Sequence, residues 1–317
     1  MNRQPSNEAL TLAGKIVDLE KQLDKLKKEA DQSGDHQQVN GIRKQLRDKY
    51  AALIHEDYVH AVRIKADLNL WKKVFYYRVG AYQKQLTRAN ASRKDPAKKE
   101  RADLSYRQLV KSVEKFLSDA IAFYRDLTAS MLSACNIQME GYTNGEATKV
   151  KGVVEGEVMD HMIGTCYKTL VQLGDLERYV QRHCRDPSGQ DLTAAAEHYR
   201  AAGRLLPAGS NHCNQLGVIS QLEGNKLDAF FHYVRAYHVD PGSRFLQASQ
   251  NVQKNLENVN AAWRDVEEES SSSPAAFKPW ASAGADEQKR RVKNLELKFL
   301  KLHSLLYFGD DMSLYPT

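Results

Sequence analysis

The sequence has no apolar run near the ~18 residues that a membrane-spanning helix needs. Its start, MNRQPSNEAL, lacks the apolar stretch of a secretory leader. A bilayer span is therefore not expected, and the chain reads as cytoplasmic, with shuttling to the nucleus as a further expectation. Cysteine is scarce. Cys135, Cys166, Cys184 and Cys213 are spread without the paired spacing of a disulfide framework or a zinc site. Two His-Cys dipeptides, His183-Cys184 and His212-Cys213, invite a metal reading, but adjacent residues on a helix point different ways. Buried thiols are expected instead, with no metal and no cofactor. Also missing are a phosphate-cradling glycine loop, a GxSxG elbow and an HExxH pair, so no enzyme is expected. Paired acids such as Asp310-Asp311 and Glu267–Glu269 fall in predicted loops, where carboxylates are solvated.

What the chain does hold is charge and helical periodicity. Apolar residues make up 42% and charged residues 27%, which supports a sizeable core and excludes global disorder. The net charge of +6 is modest and concentrated: RANASRKDPAKKER (88–101) carries six basic residues against two acids. With Pro96 breaking it, this segment reads as a solvated junction between helices. No aromatic side chains are interleaved as base-stacking platforms, so nucleic acid is not an expected partner.

No period-two alternation stands out, and the predicted fold is all-α. Leu12, Ile16, Leu19, Leu23 and Leu26 form a stripe over 9–30, and Val39, Ile42, Leu46, Tyr50 and Leu53 form a second. Two such helices joined by a short polar loop should pair antiparallel. A third helix is predicted from Glu56 to Thr87 and a fourth from Ala97 to Cys135. A glycine-rich loop, NIQMEGYTNGEATKVKGVVEGEV, follows, and a fifth helix begins near Val158.

An internal repeat organises what comes next. A shift of 34 residues superimposes Ala195, Tyr199, Ala202 and Pro207 on Ala229, Tyr233, Ala236 and Pro241. Leu216-Gly217 sit where the tetratricopeptide pattern has Leu-Gly, and the first copy carries Arg182-His183 there instead. The expected organisation is a helical hairpin over 1–55 and a helical-repeat domain over 56–260. A linker or loop over 261–288 and a C-terminal helix over 289–317 complete it, the helix carrying Val292, Leu295, Leu297, Phe299, Leu300, Leu302 and Leu305 and docking back on the bundle. The chain is expected to be one domain of a longer protein.

The combination of LGDLERY, a helix pair ending in LLP, NQLG (214–217) and FFHYVRAYHVDP resembles the Ever-Shorter-Telomeres family. Its animal members are the SMG adaptors of nonsense-mediated mRNA decay. LWKKVFYY (70–77) resembles that family's third helix, and KRRVKNLELKFLKLHSLLYF is similar to the SMG-five member more than to the SMG-seven member. The resemblance implies a 14-3-3-like array of tetratricopeptide-like hairpins followed by further helices. It also implies a non-enzymatic adaptor that forms a heterodimer with a related SMG-type factor and docks phosphorylated Up-frameshift helicase. The alternatives are a phosphoserine-peptide module acting alone, or a telomere- or RNA-associated scaffold.

By the same resemblance, Arg178 and Tyr179 of GDLERY would hold a phosphate and Asn214 the bound peptide's backbone. The third helix of the family supplies two cations as well. Aligned through VGA (79–81), those positions are Tyr76 and Gln83, so the pocket is degraded. Lys73, three residues before Tyr76, is the nearest substitute on that helix face, whereas Arg78 should point elsewhere. In the competing structural reading, Arg178 pairs with Asp175 and Tyr179 packs.

Overall fold

The computed structural model describes residues 4–33, 37–95, 99–143, 148–239, 246–272 and 284–308, and every regular element among them is helical. The chain divides into two compact units, Met1–Leu206 and Pro207–Thr317.

The first unit opens with α1 (Asn7–Ser33) and α2 (Gln37–Glu56), packed on each other. On α1 it is Ala9, Ile16 and Leu23, seven apart, that are fully buried. On α2 the buried face runs Val39, Arg43, Leu46, Tyr50 and Leu53, so an arginine and not Ile42 occupies the seam. The predicted third helix is broken into pieces. Asp57 caps α3 (Tyr58–Arg63) through the His60 amide, and Lys65 turns the backbone left-handed at φ 57° before α4 (Ala66–Asn69). A π-helical segment, Leu70–Tyr76, then runs into α5 (Tyr77–Ser92). Phe75 from this segment packs among Phe116, Phe123 and Tyr124 of α6 (Lys99–Ala134), with centroids 5.0–6.2 Å apart.

The glycine-rich stretch between α6 and α7 (Gly156–Cys184) is tied down on either side of residues 144–147, which lie outside the described ones. Tyr142 meets the His198 ring, and the Lys151 amide donates to the His55 carbonyl at 2.7 Å. The hairpin of α7 and α8 (Thr193–Leu205) completes the unit, with a short 3-10 turn at Pro187–Gly189 between them.

The second unit begins with the hairpin of α9 (Asn211–Leu222) and α10 (Lys226–Val239). Then come α11 (Leu246–Ser272) and α12 (Ala285–Phe308). Phe230 and Tyr233 pack with Val252, Leu256, Val259 and Leu300 in its core. Here the structure differs from the expected linker: α11 continues unbroken past Asn260 to Ser272. Residues 273–283, and the final stretch after Phe308, lie outside the described residues.

One contact recurs in both hairpins. A Cβ on Gly217 would lie 2.6 Å from Cε1 and 2.7 Å from Cδ1 of Tyr233. A Cβ on Gly174 would lie 2.7 Å from Cδ1 and Cζ of Tyr199. The Leu-Gly of the first copy is thus Leu173-Gly174, not the positions of Arg182-His183. Glycine and tyrosine are 25 positions apart in the first hairpin and 16 in the second. The first hairpin's longer α7 and longer connection absorb the nine extra residues, which breaks the 34-residue register on the glycine side only. Ala195, Ala202, Ala229 and Ala236 are all buried beside these rings, as close helix packing requires.

These rings cannot swing aside, because each hydroxyl is held: Tyr199 by Asp175 Oδ1 and Tyr233 by Gln221 Oε1, both at 2.9 Å. Gly174→Ala is therefore expected to cost about 1–3 kcal/mol in urea unfolding, the range for overpacking. Gly80→Ala meets nothing within 4 Å and should be neutral or stabilising by up to ~1 kcal/mol, since alanine favours helix over glycine.

Candidate functional site

The GDLERY segment lies on α7, where Gly174 seats the Tyr199 ring and the next turn supplies polar groups around its hydroxyl. Arg178 is largely buried and donates from Nη2 to Asp175 Oδ1 at 2.8 Å and from Nε to the Tyr199 hydroxyl at 3.3 Å. Burial opposes its charge, but Tyr199 and Asp175 outweigh that and hold the proton firmly. Gln221 stands four residues after Gly217, as Arg178 stands four after Gly174. Both touch the hydroxyl of the tyrosine that covers the glycine. Arg178 therefore has a packing role in the first hairpin equivalent to that of Gln221 in the second.

Tyr179 is half-buried, stacks on His183 with centroids 6.1 Å apart and lies 5.1 Å from the Arg178 guanidinium. Burial first, then the neighbouring Asp175 charge, pushes its phenol up to about 12. Lys73 pairs with Glu20 at 2.7 Å, and the other oxygen of that carboxylate accepts from Tyr50. Asn214 belongs to the second unit, is fully buried, and accepts a 2.8 Å hydrogen bond from Asn251.

Tyr76, Gln83 and Tyr179 do come together. They line one concavity of about 510 Å³ with Lys27, Arg43, Arg78 and Lys84, and no carboxylate is among its described lining residues. Neither Arg178 nor Lys73 lines it. Arg78 does, against expectation, because the concavity wraps around α5 and takes consecutive residues from Tyr76 to Ala81. Arg43 was legible in principle: a strict alternation of four and three from Val39 lands on 43, 46, 50 and 53.

The four cysteines are free, three of them buried and Cys184 half-buried. Burial pushes the Cys135 and Cys184 thiols up to about 11. No group of His, Cys, Asp or Glu that could hold a metal ion occurs among the described residues, and none of their helices is long and apolar enough to cross a membrane.

Comparison with known proteins decides the lineage. The family described as "Telomerase activating protein Est1" matches residues 65–183, and "Est1 DNA/RNA binding domain" matches residues 195–317. The chain belongs to the Est1/SMG7 family. The Arabidopsis thaliana nonsense-mediated mRNA decay factor SMG7 is 24% identical over 207 residues, covering 62% of this chain and 19% of that protein. The Danio rerio factor of the same name is 27% identical over 223 residues, covering 68% and 17%. A solved structure, "Crystal structure of Est1 and Cdc13", aligns at a TM-score of 0.56 with 14% identity, over 92% of this chain and 63% of the other. That likeness is one of fold, and the fold is an all-α, 14-3-3-like helical array. These similarities do not separate the SMG-five branch from the SMG-seven branch. This Est1/SMG7 chain spans less than a fifth of the length of the two SMG7 proteins it matches.

With Arg178 seated on Asp175, Asp175→Asn strands a largely buried guanidinium. It is expected to lower unfolding stability by about 3 kcal/mol, and adding Arg178→Met should restore part of the loss. A silent Asp175→Asn would mean that Arg178 is turned toward an external anion.

Proposed function

We propose that this chain is a non-enzymatic adaptor of nonsense-mediated mRNA decay that works chiefly by pairing with a related SMG-type factor. Recruitment to phosphorylated Up-frameshift helicase is then shared with that partner. The lineage supports the pathway. The observation that carries the division of labour is that Arg178 and Lys73, two of the side chains assigned to the phosphate, already hold carboxylates at 2.8 and 2.7 Å. Phosphate capture through Arg178, Tyr179, Lys73 and Asn214 would have to displace Asp175 and Glu20 first, which makes it weak.

The outer face of α12 supports the pairing reading. Leu300 and Leu297 pack inward, while Val292, Leu295, Phe299 and Leu302 stand 46–68% exposed at spacings of three and four. A helix with a second apolar face suits another helix. Light scattering of a mixture with an SMG7-type domain should show a one-to-one complex, lost in Leu295→Glu/Phe299→Glu. A mixture that stays monomeric counts against the proposal.

The family description of residues 195–317 favours a second reading, nucleic-acid binding. The charge there does not support it: the segment holds fourteen basic and fourteen acidic side chains, with no excess to neutralise phosphates. Arg93 in the basic junction is also spent, pairing with Asp103 and stacking 4.5 Å from the Tyr106 ring. Binding to single-stranded RNA or DNA is expected to be weak. Tight binding that falls steeply between 50 and 200 mM salt, by ~10³ or more, would establish the second reading.

A further inference from the structure

The second unit holds a hollow that opens onto its core. It lies between the α9–α10 turn, α11 and α12 and has a volume of about 360 Å³. Its floor is apolar: Ala229, Phe230, Val259 and Leu300 are all 7% exposed or less. Protein interiors leave few voids larger than a water molecule, so a hollow of this size over core side chains has room for a ligand. Amide side chains stand around it, and the fold fixes how they point. Gln221 Oε1 accepts from the Tyr233 hydroxyl at 2.9 Å, which leaves the Gln221 NH2 group without a partner among the described residues. Asn255 Nδ2 donates to the Asn251 carbonyl at 2.9 Å, which leaves Asn255 Oδ1 unbonded among them. Both residues line the hollow, and Asn258 adds a third amide. Lys226, exposed at the start of α10, is the one charged residue among the described lining ones.

We propose that this hollow binds an extended peptide of a partner protein, one that needs no phosphate. A bulky aliphatic side chain of the peptide enters over Phe230 and Leu300, because the floor offers only apolar contacts. A fixed donor and a fixed acceptor match the carbonyl and the N–H of a peptide backbone, and Gln221 and Asn255 supply them. An acidic residue beside the aliphatic one faces Lys226, which no carboxylate of the described lining neutralises. The site lies wholly in the second unit and shares no residue with the pocket implied by family resemblance around Arg178, Tyr179, Asn214, Lys73 and Tyr76. It does not depend on pairing through the outer face of α12, so failure of the heterodimer leaves it standing.

Selection of a random heptapeptide display library on the intact chain, with Ala262→Phe as counter-target, tests the site. Ala262 lines the hollow and is half-buried, so a phenylalanine there fills it. Enriched peptides are expected to carry Leu, Ile or Val next to Asp or Glu. A synthetic copy of the leading sequence should raise the melting temperature saturably, as a ligand of the folded state requires, and titrate to one site. Its affinity should fall about tenfold or more in Ala262→Phe and about three- to tenfold in Lys226→Glu. The second variant places an acid in the first turn of α10, which suits the helix. Exchanging the peptide's acid for lysine should restore binding to it. No enrichment, or a leading peptide whose binding survives both substitutions, overturns the proposal. Should Ala262→Phe not fold, the charge exchange at Lys226 decides, binding indifferent to it overturning the site. Self-association of the natural chain in light scattering, abolished by Ala262→Phe, would give the hollow to a second copy and overturn it as well.

Discussion

The hairpins of this chain depend on a tyrosine ring lying directly on a glycine. At Gly174 and Gly217 the partner ring occupies the volume that any side chain would need. The helices can approach that closely only because neither glycine carries a Cβ and the flanking positions are alanine. Once the ring is seated, its hydroxyl emerges beside the helix it covers and must find a polar partner there. That demand decides what the residue four positions after the glycine does. Gln221 answers it in the second hairpin, Arg178 in the first.

Seen this way, the GDLERY motif is first a packing device. Asp175 binds both the Tyr199 hydroxyl and the Arg178 guanidinium, so charge, ring and glycine form one interlocked set. The same neighbourhood presents Tyr179 to a basic concavity that Arg178 does not line. Positive charge there comes from the α1–α2 hairpin and α5.

Charge is divided along the chain in a way that bears on partners. Residues 195–317 are balanced, so the whole excess of +6 falls before them. The apolar stripe on α12 belongs to the second compact unit and the basic concavity to the first. The two units thus carry chemically different surfaces.

Much of this was legible in the sequence. Periodicity determined the all-α class, because a period of 3.6 leaves a visible stripe of apolar positions along α1 and α2. The 34-residue recurrence of alanine, tyrosine and proline showed that hairpins repeat, and local motifs carried the resemblance to the family. Other features were decided only in three dimensions. The partner of Tyr199 was hidden because nine extra residues between glycine and ring move Leu-Gly out of register, and a fixed-period comparison cannot see an insertion. The break at Lys65 and the π-helical turn before Tyr77 rest on tertiary packing, which outweighs the helical preference of the segment. Whether Arg178 is free for an anion could not be settled from residue type, since a guanidinium is free for a ligand only when no carboxylate of the fold reaches it. Asp175 reaches this one at 2.8 Å.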